Sequence, residues 1–478
     1  MKWRSTIALL VAALGLAAYV FFWDSGQKGT VEAERDKHRL FDFEASAIQW
    51  IEMDHDGTTL RIERRSQGEG DATVSSWMLA KPISDRADGS LADGLADRIA
   101  RLESTRTLGG ADAAGAAPPA DADAGLAPPV FTVRFDAGKG PVTLDVGKAV
   151  PASDAVYLRV SGRQGLEVAR NSLHEEVQRP ADEWRDHALF AVSTLDLGEV
   201  ELSRPAGTLR FKREGEVWRV AAPFQDDGDG SKIQSLLFNL TGLHAASFAA
   251  GSDPAGMAAL ATPTYRAVLR KRDGSSAGEI AFGGAVAAST TRIWARSAGR
   301  DALLQVDNQA VEPLDAPAES YRSLAAFTMN EFDIETISLE RAGASLVFRY
   351  KDTGWKVDTP ADLSPVADSV EAAVREAAGL RTDAVLESTA GLARYGLEPP
   401  AATITLTARA AADGTVGRTE ALRLGSTASA GRIYAARDGR PVILTVPDTI
   451  LERFDRAAYS TPPAEATPGA EMQGSVGQ

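Results

Sequence analysis

The sequence predicts an α+β protein: three tandem repeats, each mainly antiparallel β-sheet with one amphipathic helix, after an N-terminal transmembrane helix. Three observations lead there. A Trp-x-apolar-x-x-Pro step occurs at Trp77-Met78-Leu79-Ala80-Lys81-Pro82, Trp218-Arg219-Val220-Ala221-Ala222-Pro223 and Trp355-Lys356-Val357-Asp358-Thr359-Pro360, at spacings of 141 (218 − 77) and 137 (355 − 218) residues. Apolar residues around each copy fall at equal offsets. An uncharged apolar run fills residues 7–23.

The run comes first in the chain. Seventeen residues, Ile7 to Trp23, lie at the short end of the ~17–25 that a bilayer-spanning helix needs. Lys2 and Arg4 precede it and Asp24 follows, so the positive-inside bias puts residues 1–6 in the cytoplasm and the bulk of the chain outside it. Tyr19, Phe21, Phe22 and Trp23 supply interfacial rings at the far end, where a cleaved leader would carry small residues. An uncleaved signal anchor is therefore expected, with the repeats outside the cytoplasm. The chain has no cysteine, which excludes a lipid-modified N-terminus, disulfides and thiolate chemistry.

After a linker (24–40) the repeats are expected at 41–189, 190–326 and 327–459, with a disordered tail at 460–478 rich in Pro, Ala and Gly. Each opens on a phenylalanine: Phe41, Phe190 or Phe327. Seven residues on stands Ile48, Leu197 or Ile334, and ten on Ile51, Val200 or Ile337. Leu60/Ile62, Leu209/Phe211 and Leu346/Phe348 then alternate with period two, as in a half-buried strand. Asp56-Gly57, Pro205-Ala206-Gly207 and Ala342-Gly343-Ala344 supply the hairpin turns before them.

The tryptophan motif continues this meander, and a helix follows. Leu91, Leu95, Ile99 and Leu102 share one face. So do Ile233, Leu236, Leu237, Leu240 and Leu243, and Val370, Val374, Ala377 and Leu380 in the later copies. Asp88, Asp229 and Asp368 stand where a carboxylate caps the helix start. A Leu-x-x-Pro step comes next, at Leu126, Leu260 and Leu397, later in the first repeat because Gly109–Gly125 reads as a flexible insertion with nothing to bury. About four strands close each repeat. They begin near Val130, Tyr265 and Ala402, and they carry Tyr157, Trp294 or Tyr434.

This order of motifs resembles a bacterial family, the domain of unknown function 4340 family. The third repeat carries the fullest match, with Tyr395-Gly396-Leu397-Glu398-Pro399-Pro400, Leu422-Arg423-Leu424-Gly425 and Ile433-Tyr434. The second repeat lacks the Tyr-Gly lead before Leu260, and the first lacks the tyrosine. The resemblance implies an anchored envelope protein, in some cases encoded beside ABC-type export systems of the gliding-motility kind. It carries over no catalytic residue.

Residues capable of chemistry are few. Of His38, His55, His174, His187 and His244, none has metal-ligand spacing. His174-Glu175-Glu176 reads as solvated surface, and Asp54-His55-Asp56-Gly57 as a hairpin turn. Asp226-Asp227-Gly228-Asp229-Gly230-Ser231 has the look of a calcium loop. From Asp227, however, the sixth and twelfth positions hold Lys232 and Phe238 rather than Gly and a carboxylate, so it reads as a turn before a helix. Phosphate-loop and nucleophile-elbow motifs are missing from the sequence. A net charge of −15 without a dense basic stripe argues against nucleic acid. No catalytic, cofactor or metal residues are therefore assigned. The expected role is a non-catalytic accessory or scaffold of an envelope complex, with an ABC-type transporter component as partner. An envelope polysaccharide- or peptide-binding module is the alternative and a hydrolase the third choice. The aromatic triplets read as core pegs before groove linings.

Overall fold

The computed structural model describes residues 38–459, apart from 68–73, 110–116, 171, 288, 353, 362, 364–368, 388–390 and 411–416. The apolar run 7–23, most of the linker, the cap Asp368 and the tail 460–478 lie outside the described residues. Among those described, no helix is long and apolar enough to cross a membrane.

Three antiparallel sheets carry the fold, with few helices. Repeat 1 forms β1 (Trp50–His55), β2 (Thr58–Gln67), β3 (Val74–Lys81), β4 (Asp85–Arg86), β5 (Ser104–Leu108), β6 (Phe131–Asp136), β7 (Pro141–Ala149), β8 (Ala155–Val160) and β9 (Leu166–Arg170). Its sheet order is β4-β3-β2-β1-β6-β7-β8-β9-β5. Two meanders thus join through β1 and β6, where Ile51 faces Phe135. Repeat 2 supplies β10 (Leu197–Ser203), β11 (Leu209–Glu214), β12 (Val217–Ala222), β13 (Asp226–Asp227), β14 (Ser247–Ala249), β15 (Tyr265–Lys271), β16 (Ser276–Ala285), β17 (Arg292–Ser297) and β18 (Leu303–Asp307). Repeat 3 supplies β19 (Ile334–Arg341), β20 (Ala344–Lys351), β21 (Gly354–Thr359), β22 (Ala384–Glu387), β23 (Ala402–Ala408), β24 (Thr419–Ser429), β25 (Arg432–Arg437) and β26 (Val442–Pro447). Repeat 2 follows the order of repeat 1, and repeat 3 does so without a counterpart of β4 among the described residues.

The chain divides into two compact units whose limits do not follow the repeats. One runs to Ala188 and takes in His244–Met257 and Gly299–Val306, so it holds β14 and most of β18. The other holds Leu189–Leu243, Ala258–Ala298 and the chain from Asp307.

The repeated motif has a local cause. Ile62, Phe211 and Phe348 each oppose the residue two beyond the motif tryptophan: Leu79, Val220 and Val357. A bulge then follows at one place in all three ladders, and the X-Pro bond that ends the motif is cis in each. The chain next enters a helix: α1 (Gly89–Ala100), α2 (Gly230–Thr241) or α3 (Ser369–Ala378). Asp88 caps α1 by accepting from the Leu91 N–H at 3.0 Å, and Asp229 accepts from the Ser231 and Lys232 N–H groups. In repeat 1 the helix buries Leu95, Ala96 and Ile99 against Ile51, Ile62, Phe135 and Leu144. Val370, Val374 and Ala377 do the same in repeat 3 against Ile337, Phe348 and Leu406.

The glycine before the aromatic strand is sterically required. A Cβ on Gly147, Gly283 or Gly425 would stand 2.2, 2.4 or 2.1 Å from the carbonyl oxygen of Ala124, Ala259 or Tyr395. Each carbonyl belongs to the short helical turn leading into the Leu-x-x-Pro step. That packing corrects the expectation for the end of the insertion. Asp121–Ala124 is helical, Ala124 is fully buried beside Leu126 and Leu166, and Asp121 forms a two-pronged pair with Arg159. The edge strands β5, β14 and β22 also escaped the sequence analysis. They are short, and they pair only with the last strand of each sheet.

Candidate functional site

The residues singled out by sequence mostly serve packing. Trp77 and Trp218 are buried, and Trp355 is half-buried. The Trp77 indole N–H donates to Asp93 at 2.8 Å while the Arg64 guanidinium lies 4.3 Å from its ring. Trp294 is buried, whereas Tyr157 and Tyr434 are half-buried, the latter edge-on to Tyr395 at 5.0 Å. His187 is spent on two backbone carbonyls, those of Ala245 and Asp182. Asp56 and Gly57 form the expected two-residue turn, both at positive φ. Among the described residues, no three His, Asp or Glu side chains converge as a metal site.

Two readings need correction. Glu176, expected on a solvated surface, is buried, because Arg98 at 3.2 Å and Arg179 at 3.4 Å neutralise it. Asp229 does begin a helix, but Asp226 and Asp227 are strand residues with their carboxylates inside the protein. Buried carboxylates need partners, and here they are arginines.

The first such cluster lies in the first unit around Asp85, whose side chain is 3% exposed. Arg185 reaches Oδ2 at 2.9 and 2.6 Å. Arg300 grips both oxygens, from Nε to Oδ1 at 2.9 Å and from Nη2 to Oδ2 at 2.8 Å. The Arg86 N–H adds a second donor to Oδ1 at 2.8 Å. Arg300 also donates to the carbonyl of Asp186 at 2.8 Å, and the Phe248 ring stacks on Arg185 at 3.6 Å. Burial works to raise the Asp85 carboxyl. The hydrogen bonds and charges of Arg300 and Arg185 outweigh it and hold the group below its usual range.

The second cluster, in the second unit, repeats this arrangement of one carboxylate, two arginines and the next backbone N–H. Arg440 grips Asp226, from Nε to Oδ1 at 2.6 Å and Nη2 to Oδ2 at 3.3 Å. Arg322 reaches Oδ2 at 2.8 Å, and the Asp227 N–H reaches Oδ1 at 2.7 Å. Arg440 donates onward to the carbonyls of Ala325 at 2.9 Å and Ser323 at 2.7 Å. Phe224 stacks on Arg322 at 3.5 Å. Asp227 has its own pairs, with Arg437 and, at 3.0 Å, with Arg219. In both clusters the carboxylate comes from one repeat and one arginine from the hairpin tip of the next. The other arginine comes from the stretch that joins the two repeats.

The sequence does carry a signal for these clusters, in residue pairs rather than single motifs. Asp85 and Asp226 each lie eight residues past the motif tryptophan (85 − 77, 226 − 218). Arg185 and Arg322 each precede the opening phenylalanine of the next repeat by five (190 − 185, 327 − 322). Gly299-Arg300 and Gly439-Arg440 match at the hairpin tips. The terminal repeats break the pattern consistently. Repeat 3 has Leu363 at the aspartate position, packed on its core. Repeat 1 keeps the tip arginine, Arg163, which donates instead to the carbonyl of Leu40.

The second cluster floors a cleft of about 620 Å³ lined by Lys212, Glu214, Arg219, Gln225, Asp226 and Arg440. Both oxygens of Asp226 are already engaged by donors, so this floor is built to hold charge in place. The cleft can recognise polar groups through Lys212, Gln225 and the half-exposed Arg219.

Against known proteins, the family profile described as Domain of unknown function (DUF4340) matches residues 77–263 and 355–460, more than half of the chain. Each matched stretch opens on a motif tryptophan, Trp77 or Trp355. No curated protein and no solved structure matches the chain. The tryptophan step, the helix after it, the Leu-x-x-Pro turn and the glycines Gly147 and Gly425 lie within these matches, and the chain belongs to the DUF4340 family.

Proposed function

We propose that this protein is a non-catalytic, single-pass subunit of the bacterial cell envelope. It is anchored in the inner membrane by residues 7–23, with its repeats in the periplasm, and serves as accessory or scaffold to a membrane complex. One observation carries the architectural part: residues that recur across repeats are committed to core, cap, turn and seam. Trp77, Trp218, Asp88, Asp229, Asp85 and Asp226 are all spent in this way. The anchor rests on the apolar run behind Lys2 and Arg4. An ABC-type transporter as partner rests on the family resemblance alone. Cross-linking in intact membranes followed by identification of partners tests the proposal. Capture of a transporter subunit supports it. Failure to recover one, under conditions that capture known complexes, counts against it.

The cleft beside Asp226 favours a second reading, a module that binds envelope polysaccharide or peptide. Pull-down of purified peptidoglycan and a glycan array, with the full-length protein in detergent, separate it from the first.

A further inference from the structure

A second cleft in the same unit is basic. It encloses about 490 Å³ and is lined by Lys212, Arg213, Arg270, Lys271 and Arg272, with Glu199 and Asp273 as its acids. Glu216, just outside, bridges Arg213 at 2.5 Å and Arg272 at 3.2 Å. Asp273 is turned into its own hairpin, accepting from the Ser275 N–H at 2.8 Å. Five cations against these three acids leave an excess of two positive charges, in a chain whose net charge is −15. Lys212, Arg270 and Lys271 are exposed and have no ion-pair partner among the described residues.

The other repeats act as an internal control on what the fold requires here. Leu269, opposite Val200, corresponds to Phe135 opposite Ile51 and Leu406 opposite Ile337. Arg270-Lys271-Arg272 therefore occupies the place of Asp136-Ala137-Gly138 in repeat 1 and Thr407-Ala408-Arg409 in repeat 3. Lys212, paired with Glu199, takes the place of Glu63 paired with Trp50. Repeat 3 keeps a cation at two of these points, Arg349 and Arg409, but the same ladder forms with Asp136-Ala137 or Thr407-Ala408 in place of Arg270-Lys271, so folding does not demand those two cations of repeat 2. Unpaired like charges gathered in one concavity repel one another and raise the local concentration of anions.

We infer that this cleft of the middle repeat binds a divalent phosphate group. Two excess charges balance a phosphate monoester or a pyrophosphate diester, and guanidinium and ammonium donors suit the oxygens of either. The site shares Lys212 with the cleft beside Asp226, but its other cations take no part in either reading above. Soluble phosphate and the phosphate of a lipid headgroup share this chemistry.

Calorimetric titration of the full-length protein in detergent, at low ionic strength, tests the assignment with inorganic pyrophosphate, glycerol 3-phosphate and citrate as probes. The Arg270→Asp/Lys271→Ala variant installs the residues of repeat 1. Arg296→Asp places the same type of charge change at the exposed position of β17, away from the cleft lining. Pyrophosphate binding weakened about tenfold or more in the first variant and retained in the second supports the site. Tighter binding of glycerol 3-phosphate than of pyrophosphate identifies a headgroup-type ester as the ligand. Equal pyrophosphate binding by parent and cleft variant, no binding by the parent, or citrate bound as tightly as pyrophosphate overturns the assignment. Matched far-ultraviolet spectra and melting of both variants exclude misfolding as the cause.

Discussion

Replacing Arg440 by methionine removes a guanidinium that is fully buried and leaves a side chain of similar length. Four hydrogen bonds disappear: two to the Asp226 carboxylate, at 2.6 and 3.3 Å, and two to the carbonyls of Ala325 and Ser323, at 2.9 and 2.7 Å. The carboxylate keeps Arg322 and the Asp227 N–H, so it is weakened rather than orphaned, while both carbonyls lose a buried donor. Removing one partner of a buried pair costs about 3–5 kcal/mol, and a stranded acceptor costs about 1–3 kcal/mol. These terms overlap, and a net loss of about 4 kcal/mol is expected. Urea unfolding of the purified protein, followed through tryptophan fluorescence, reads this as a lower midpoint for the transition of the second unit. The volume-conserving double variant Asp226→Leu/Arg440→Met should recover at least half of the loss, because it removes the charge together with its partner. Arg322 is not stranded by that change, since Glu387 and the Phe224 ring remain against it. A single variant within about 1 kcal/mol of the parent would refute the reasoning, since only a hydrated pair is that cheap to break.

Three further outcomes follow from the packing. Trp218→Ala should cost about 3–5 kcal/mol and Trp355→Ala less, since only the former is buried; a melt of the Trp218 variant that overlays the parent would place that ring in solvent. Gly283→Ala should destabilise by about 1–3 kcal/mol, because its Cβ would stand 2.4 Å from the Ala259 oxygen, whereas Gly89→Ala, with nothing within 4 Å, should be neutral in the same assay. Asp85 has a lowered pKa in the folded protein, so its stabilising effect is complete above its ordinary value of 3.8 and is lost as pH falls through the folded value. Stability measured along that acid limb should flatten in Asp85→Asn, and an unchanged slope would remove Asp85 from the list of acid-sensitive groups.

The repeat was legible because apolar spacing survives in sequence: Phe41, Ile48, Ile51, Leu60 and Ile62 recur without a gap, and each matched position is a sheet or core contact. The helices were legible for the same reason, since Ile233, Leu236, Leu237 and Leu240 mark one face and Asp229 marks the start. The edge strands β5, β14 and β22 were not, because three to five residues paired on one side leave no periodic pattern. The charged clusters were hidden for a different reason. Asp226 looks like a turn residue until Arg322 and Arg440, about 100 and 200 residues away (322 − 226, 440 − 226), are known to converge on it. A carboxylate next to an N-cap is usually solvated, and only the repeat register separates Asp85 and Asp226 from their exposed neighbours. The basic cleft was missed because its cations lie in two short runs, Lys212-Arg213 and Arg270-Lys271-Arg272, that only folding brings together.

Successive repeats are fastened by a buried aspartate held by an arginine of the next hairpin. A double-mutant cycle at the other cluster, with Asp85→Asn, Arg300→Met and the pair combined, measures that coupling directly. The structure predicts a coupling of about 2 kcal/mol or more, the upper part of the range for contacting residues in one network. Costs that add to within about 0.5 kcal/mol would contradict it, since independent sites behave that way.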